Sequence, residues 1–265
     1  MKSIAFFITP HGFGHAARSC AIMSELKELY QDIKVLIFTT VPKAFFQDSL
    51  EGGFYYYSVL TDVGFVQKSS LEPDMYWTVE ALKDLYPVDL QRFKGVLEIL
   101  ERWNARIIVS DISPLGILLG KRLQIKTLLV ENFTWDWIYS FYGGSVPQLG
   151  EFIPFLSESY GMADYRIRTV PYCGEVNADL IVPPVSRRVR KKKEEVRVAL
   201  NIGKGQRMIL LTMGGVSEEL GSIAKGLMEF LEAYGVVLVC PSDVIYTRRV
   251  GNIIYLPKFS EFFHP

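Results

Sequence analysis

The first fifteen residues constrain the fold of this chain more than any other stretch. An uninterrupted apolar run, Ile4 to Ile8, precedes the turn His11-Gly12-Phe13-Gly14-His15, and a helical pattern begins near Ala16. An apolar run without polar alternation is typical of a parallel strand that is buried on both faces. The segment therefore predicts a strand, a glycine turn at its carboxyl end, and a helix.

This turn has the features of a binding site. Ligands of open parallel sheets bind at the carboxyl ends of strands, where the start of a helix presents free backbone N–H groups. Gly12 and Gly14 permit positive φ and let an anion or a sugar approach the main chain closely. His15 lies at the start of the predicted helix and is expected to point into the site, with His11 as a further contact to the substrate or within the turn.

The glycines also raise the alternative of a redox enzyme, because Gly12, Gly14 and Ala17 match the dinucleotide-binding fingerprint. That fingerprint requires an acid after the second strand to bind the ribose hydroxyls. The second predicted strand ends at Phe38 and is followed by Thr39 and not by an acid. The sequence therefore argues against a nicotinamide or flavin, and we expect no cofactor.

Composition excludes several other classes of protein. The 265 residues are 49% hydrophobic and 22% charged, which is enough for one large or two modest cores. Lys+Arg and Asp+Glu both count 29, so no net charge recruits nucleic acid. Three widely separated cysteines favour neither a metal nor a disulfide. With no signal peptide or membrane span recognisable, we expect a cytoplasmic protein and leave peripheral membrane contact and oligomeric state open.

Apolar segments alternate with helical patterns along the whole chain. This alternation predicts an α/β fold with two Rossmann-like, doubly wound parallel-sheet domains facing a cleft, the second domain short or truncated. The expected parts are an N-terminal domain over 1–180, a linker over 181–194 that holds the basic run Arg187 to Lys193, and an incomplete C-terminal domain over 195–265. Predicted strands cover residues 33–38, 54–60, 106–110, 126–130, 165–170, 208–212, 236–240 and 253–256.

Further polar and aromatic groups follow predicted strands. Asp111 comes directly after the strand 106–110, at the same sheet edge as the glycine turn. An aromatic segment, Asn132 to Tyr139, leaves the next strand, and its rings suit either core packing or a sugar-stacking wall. The irregular stretch 61–87 suggests a long loop or a broken helix at the same sheet edge, and loops of that length tend to be functional. Gly214 and Gly215 separate a strand from a helix in the second half.

These motifs together resemble a known family of enzymes. Gly14-His15 and the strand ending in Asp111 are similar to the histidine and aspartate of GT-B glycosyltransferases, in particular the inverting families 1 and 28. His11 to Arg18, Asn132 to Tyr139 and Gly214-Gly215 resemble the glycosyltransferase-like N-terminal region of L-arabinokinases and of stand-alone bacterial relatives. The resemblance implies a nucleotide-sugar donor, such as a UDP-sugar, as a substrate.

The chemistry of such a transfer assigns roles to these residues. An acceptor hydroxyl needs a base, and His15 is expected to fill that role with Asp111 as its partner. His11, Gly12, Gly14, Arg18, Asn132 and Trp135 are expected to bind substrate, and Gly214, Gly215 and Val216 the donor diphosphate, without a metal. The alternative for His15 is a turn-stabilising histidine, and for Asp111 a helix-capping carboxylate.

The identity of the substrates stays open at this stage. The acceptor could be a small molecule, a lipid-linked group or a saccharide, and neither the sugar nor the nucleotide base follows from the sequence. Because the predicted donor domain is short, two alternatives remain: a non-catalytic or truncated nucleotide- or sugar-binding module, and a sugar-nucleotide epimerase.

Overall fold

The chain divides into two compact units, each with its own sheet. The structure, a computed structural model, describes residues 3–69, 71–212 and 224–257. The first unit consists of Met1–Val66 and Pro73–Arg187, and the second of Gln67–Glu72 and Arg188–Pro265. The division after Arg187 falls within the segment 181–194, for which the sequence suggests a linker.

The first unit is an α/β layer structure around a seven-stranded sheet. Its strands are β1 (Ser3–Ile8), β2 (Lys34–Thr39), β3 (Tyr55–Ser58), β4 (Ala105–Asp111), β5 (Lys126–Glu131), β6 (Tyr165–Thr169) and β7 (Leu180–Val182). Its helices are α1 (Phe13–Leu29), α2 (Lys43–Ser49), α3 (Met75–Leu85), α4 (Lys94–Arg102), α5 (Pro114–Leu123), α6 (Trp135–Ser140) and α7 (Ile153–Gly161), with 3₁₀ turns at Leu90–Phe93 and Pro147–Phe152.

All seven strands run parallel, in the order β3-β2-β1-β4-β5-β6-β7. The order of the strands along the chain reverses between β1 and β4. Ile8, the last residue of β1, is in register with Asp111, the last residue of β4. Because helices leave these two strands in opposite directions, a crevice forms at their carboxyl ends. The expected α/β fold with a doubly wound parallel sheet is confirmed.

Burial on both faces explains the apolar run in β1. Ile4, Phe6 and Ile8 pack on one side of the sheet in a cluster with residues of α1 and α2. Ala5 and Phe7 pack on the other side, in a cluster with residues of α4 and α5. Since successive side chains of a strand alternate between faces, a strand covered on both sides needs apolar residues at every position.

Several elements of the first unit depart from those predicted. Helix α1 begins at Phe13 rather than near Ala16, so the second half of the glycine turn is already helical. The stretch 61–87 contains a regular helix, α3, whose N-terminus is capped by Asp74 accepting from the Trp77 backbone N–H at 3.1 Å. Strand β7 was not predicted, because three residues at a sheet edge give no periodic signal.

The second unit contains a four-stranded sheet in the order β10-β11-β9-β8. Its elements are α8 (Lys193–Ala199), β8 (Arg207–Leu210), α9 (Ala224–Ala233), β9 (Val236–Ser242), β10 (Arg248–Val250) and β11 (Ile253–Pro257). Strands β8, β9 and β11 are parallel, as predicted, and the unpredicted β10 is antiparallel to β11. Separate apolar clusters cover the two faces of the sheet, one reached by Val196 of α8 and the other by Leu231 of α9.

Two glycines inside helices are expected to respond oppositely to alanine. A Cβ atom at Gly116 of α5 would lie 2.3 Å from Ser110 Oγ and 2.8 Å from Phe7 Cβ, so Gly116→Ala forces the helix off the sheet. We expect the free energy of unfolding to fall by about 1–3 kcal/mol, measured by urea denaturation.

The matched control for this substitution is Gly95→Ala in α4. A Cβ atom at Gly95 meets no atom within 4 Å. Alanine there raises helix propensity without a clash, so we expect stabilisation by about 0.5–1 kcal/mol. Equal effects of the two substitutions would contradict the close contact between α5 and the sheet.

Candidate active site

The glycine turn joins β1 to α1 at the crevice of the first sheet. Gly12 is the N-cap of α1 and has φ of 80°, a conformation that L side chains rarely adopt, as expected for this residue. Gly14 does not share that conformation: it lies in the first turn of α1, is exposed, and has no atom within 4 Å of a would-be Cβ. Gly14 therefore does not use the positive φ that glycine permits, and the main chain there is open to a ligand.

His15 and Asp111 meet at this crevice. Nδ1 of His15 lies 2.8 Å from Oδ1 of Asp111, and the two side chains are 10% and 1% exposed. The backbone N–H of Thr9 donates to the carbonyl of Asp111 at 3.2 Å and fixes the end of β1 against the end of β4. Because an ionised carboxylate only accepts hydrogen bonds, Nδ1 of His15 carries a proton in this contact, and in the neutral ring the lone pair is then on Nε2.

Arg18 and Ser19 also bind the Asp111 carboxylate. Nε of Arg18 donates to Oδ2 at 2.8 Å and its Nη2 to Oδ1 at 2.5 Å, while the hydroxyl of Ser19 donates to Oδ2 at 3.1 Å. Burial by itself raises the pKa of Asp111. The charge and hydrogen bonds of Arg18, together with the bond to His15, outweigh burial and hold that pKa at about 2. Asp111 is therefore an anion at every pH at which the protein would work.

The remaining Nη1 of Arg18 connects two more strands to the site. It donates to Oδ1 of Asn132 and to the hydroxyl of Thr169, both at 3.0 Å. Arg18 is buried, and Nε, Nη1 and Nη2 all have acceptors within the protein. The structure thus brings four of the predicted site residues together, and Thr169, at the end of β6, is an addition that its short strand did not reveal.

A second buried acid, Asp62, lies beneath the glycine turn. It accepts from the hydroxyl of Thr9 at 2.6 Å and from Nε1 of Trp135 at 3.3 Å. Burial raises the pKa of Asp62 to about 7 against the lowering effect of these two hydrogen bonds. The sequence analysis predicts no role for Asp62. Its position four residues after the end of β3, at the same sheet edge as His15 and Asp111, is the signal that identifies it.

His11 and Trp135 pack against each other next to Asp62. Their rings meet edge to face with centroids 4.9 Å apart, and the backbone N–H of Phe65 donates to Nδ1 of His11 at 3.4 Å. Burial, and then the charge of His15, lowers the pKa of His11 to about 4, so its ring is neutral at pH 7. A neutral ring that accepts at Nδ1 carries its proton on Nε2, the opposite tautomer to that of His15.

Trp135 is enclosed by other aromatic rings. It is 2% exposed, and the rings of His11, Phe65, Phe133 and Tyr139 lie within 6 Å of it between centroids. Of the two alternatives for the aromatic segment 132–139, this arrangement of Trp135 corresponds to core packing. In this structure no face of its ring is open to a sugar.

The predicted donor residues Gly214, Gly215 and Val216 lie outside the described residues. Among the residues that are described, no three His, Cys, Asp or Glu side chains form a group able to hold a metal ion. Within the same ranges, none of the helices combines the length and the hydropathy needed to span a bilayer.

Comparison with solved structures identifies the class of fold. No protein-family model matches the chain. Phytolacca americana UGT2, complexed with UDP-2-fluoro-glucose and pterostilbene, superposes with a TM-score of 0.58 at 12% identity over 97% of this chain and 71% of that one. The spinosyn forosaminyltransferase SpnP gives a TM-score of 0.54 at 12% identity over 96% and 70%. The chain has the GT-B fold of these glycosyltransferases, as its motifs predicted.

Comparison of sequences identifies a relative among curated proteins. L-arabinokinase of Arabidopsis thaliana is 30% identical over 216 residues, which are 80% of this chain and 21% of that protein. The expected resemblance to L-arabinokinases is confirmed, and the chain spans only a fifth of the length of this relative.

The two buried side chains Asp62 and His11 give opposite pH dependences of stability. The pKa of Asp62 is raised from 3.8 to about 7. Its contribution to the free energy of unfolding is therefore full below pH 3.8 and is lost as the pH rises through about 7. The pKa of His11 is lowered from 6.5 to about 4, so its contribution is full above pH 6.5 and is lost as the pH falls through about 4. The two effects oppose each other in the same range.

The difference in stability between the wild type and Asp62→Asn isolates the contribution of the Asp62 carboxyl group. The stability of the wild type relative to the variant should fall by about 1–4 kcal/mol between about pH 4.5 and about pH 7.5, because only the wild type then ionises a buried carboxyl. Urea denaturation at both pH values measures it, with the exposed Asp32→Asn as control. A difference that is the same at both values would contradict the burial of an ionisable Asp62.

Proposed function

We propose that this chain catalyses inverting transfer of a sugar from a nucleotide-sugar donor to a hydroxyl group, with His15 as the general base and Asp111 as its partner. The observation that carries the proposal is the 2.8 Å contact between Nδ1 of His15 and Oδ1 of Asp111, which leaves Nε2 free to accept a proton. Imidazole is the side chain best matched to proton abstraction near neutral pH.

The step is a single displacement at the anomeric carbon. Nε2 of His15 takes the hydroxyl proton of the acceptor while the acceptor oxygen bonds to the anomeric carbon. The bond from that carbon to the diphosphate oxygen breaks on the opposite face, and its electron pair leaves with the nucleoside diphosphate. Asp111 stabilises the imidazolium that forms, as a carboxylate does beside the base of a serine protease.

The location of the pair supports a binding role for the same edge of the sheet. His15 lies in the first turn of a 17-residue helix, after Gly12, at the point where the strand order reverses. Ligands of open α/β sheets bind in that crevice. Gly14, open to solvent, and His11, with its proton on Nε2, lie beside it and are proposed as contacts to the substrates.

The class of donor is proposed from the fold. Solved neighbours are complexes with UDP-2-fluoro-glucose and with UDP-L-rhamnose, and UDP-sugars are accordingly the first donors to test. We propose Gly214, Gly215 and Val216 for the diphosphate, since free N–H groups at the start of a helix bind phosphate without a metal.

The test of this function is a turnover assay with UDP-glucose as donor and water or an added alcohol as acceptor. The release of UDP measures the turnover. We expect His15→Gln to lower turnover by ~10²–10⁴-fold, the usual contribution of a general base. Asp111→Asn should lower it as well, because the amide cannot stabilise an imidazolium. Inversion predicts that the α-linked donor yields the β anomer, which NMR of the fresh product detects.

The control variant is Ser24→Ala, which lies on the same helix away from the site and should retain wild-type turnover. Undiminished turnover in His15→Gln would refute the assignment of the base. If the wild type turns over no nucleotide sugar at all, while calorimetry detects binding of UDP, the chain is a binding module and not a transferase.

A further inference from the structure

Arg18 makes more contacts with the Asp111 carboxylate than His15 does. Its Nε and Nη2 each donate to a different carboxylate oxygen, at 2.8 and 2.5 Å, whereas His15 reaches one oxygen. A guanidinium that engages both oxygens fixes the rotation of the carboxylate as well as its charge. The pair predicted from sequence is therefore part of a buried group of three.

The same guanidinium also faces the imidazole directly. Nη2 of Arg18 lies 3.2 Å from Nδ1 of His15. Both nitrogens carry protons when Nδ1 donates to Asp111, so this contact is electrostatic and not a hydrogen bond. The guanidinium and the carboxylate carry opposite charges and both lie within hydrogen-bonding distance of the ring nitrogen. The electrostatic environment of His15 therefore depends on the balance of these two neighbours.

Other charged groups lie farther from His15 than Asp111 and Arg18 do. Arg168 of β6 pairs with Glu131 of β5, Nε to Oε1 at 2.9 Å, and so cancels much of the charge of that acid. His11, in the turn before α1, is neutral at pH 7. Around His15 the described residues thus provide one close anion and one close cation, Asp111 and Arg18.

We propose that Arg18 is a positioning residue that fixes the Asp111 carboxylate and balances its charge, so that Asp111 holds the His15 ring in one tautomer, with its proton on Nδ1 and its lone pair on Nε2. The catalytic meaning of this inference rests on the proposed function, since a base must present a lone pair to the hydroxyl proton that it takes. Its content about His15 does not depend on any substrate.

The contacts also explain why this position needs arginine. Nη1 binds Asn132 and Thr169 while the other two nitrogens hold Asp111, which gives four hydrogen bonds from one planar group. The ammonium of lysine has the charge but only three donors at one point and no fork. Lysine is therefore expected to keep the charge balance and to lose the fixed orientation.

Histidine NMR tests the inference without substrates, because the chain has only three histidines. In protein labelled at the histidine rings, signals are assigned with His11→Gln and His15→Gln. In Arg18→Gln, the ring ¹⁵N shifts of neutral His15 should change from those of a single tautomer, protonated at Nδ1, to those of a mixture of two, since the carboxylate is no longer fixed. Ser19→Ala, which removes one hydrogen bond to Asp111 and leaves the guanidinium in place, is the control and should keep the single tautomer.

Arg18→Lys is the second variant and decides the matter if Arg18→Gln does not fold, as judged by circular dichroism. The ring ¹⁵N shifts should change from one tautomer, protonated at Nδ1, to a mixture of two. An unchanged single tautomer in folded Arg18→Gln, or in Arg18→Lys, would overturn the proposal. The expected NMR shifts in a protein without transferase activity would overturn the proposed function and leave this inference standing.

Discussion

The Asp111 carboxylate is the interaction on which the site depends. It is almost completely buried and accepts hydrogen bonds from His15, Arg18 and Ser19, all on the first two turns of α1. Removing a carboxylate from water is costly unless it is paired and fully hydrogen-bonded. Three donor side chains of one helix, one of them the cation Arg18, meet that requirement. In doing so they fix α1 against β4 and set the orientation of the imidazole.

The sheet order makes this contact feasible. Strands β1 and β4 are neighbours although about a hundred residues separate them, and Ile8 is in register with Asp111. Both strands are covered on two faces, so their carboxyl ends open only at the edge where the turn and the acid meet. The close fit of Gly116 of α5 against Phe7 belongs to the same arrangement, since it lets a helix lie directly on β1.

A second, weaker polar group supports the turn itself. Asp62 binds the hydroxyl of Thr9 and the indole of Trp135, and Trp135 in turn packs on His11. Burial acts on the two ionisable groups in opposite directions, raising the pKa of the acid and lowering that of the histidine, so both favour their neutral forms. The contacts of the turn with Asp62 and Trp135 are thus separate from the ion pair of Asp111 and Arg18.

By itself the sequence determined the α/β class, most of the strands, and the placement of His15 and Asp111 after apolar runs, because burial on both faces leaves a continuous apolar pattern. It could not determine which strand ends are adjacent or which way a side chain points. Arg18 is indistinguishable in sequence from a ligand contact, Asp62 from a loop acid, and Trp135 from a stacking platform. Only the packing of α1, β4 and α6 around one edge places Arg18 on the Asp111 carboxylate, buries Asp62 and encloses the Trp135 ring, since long-range contacts carry no local periodicity.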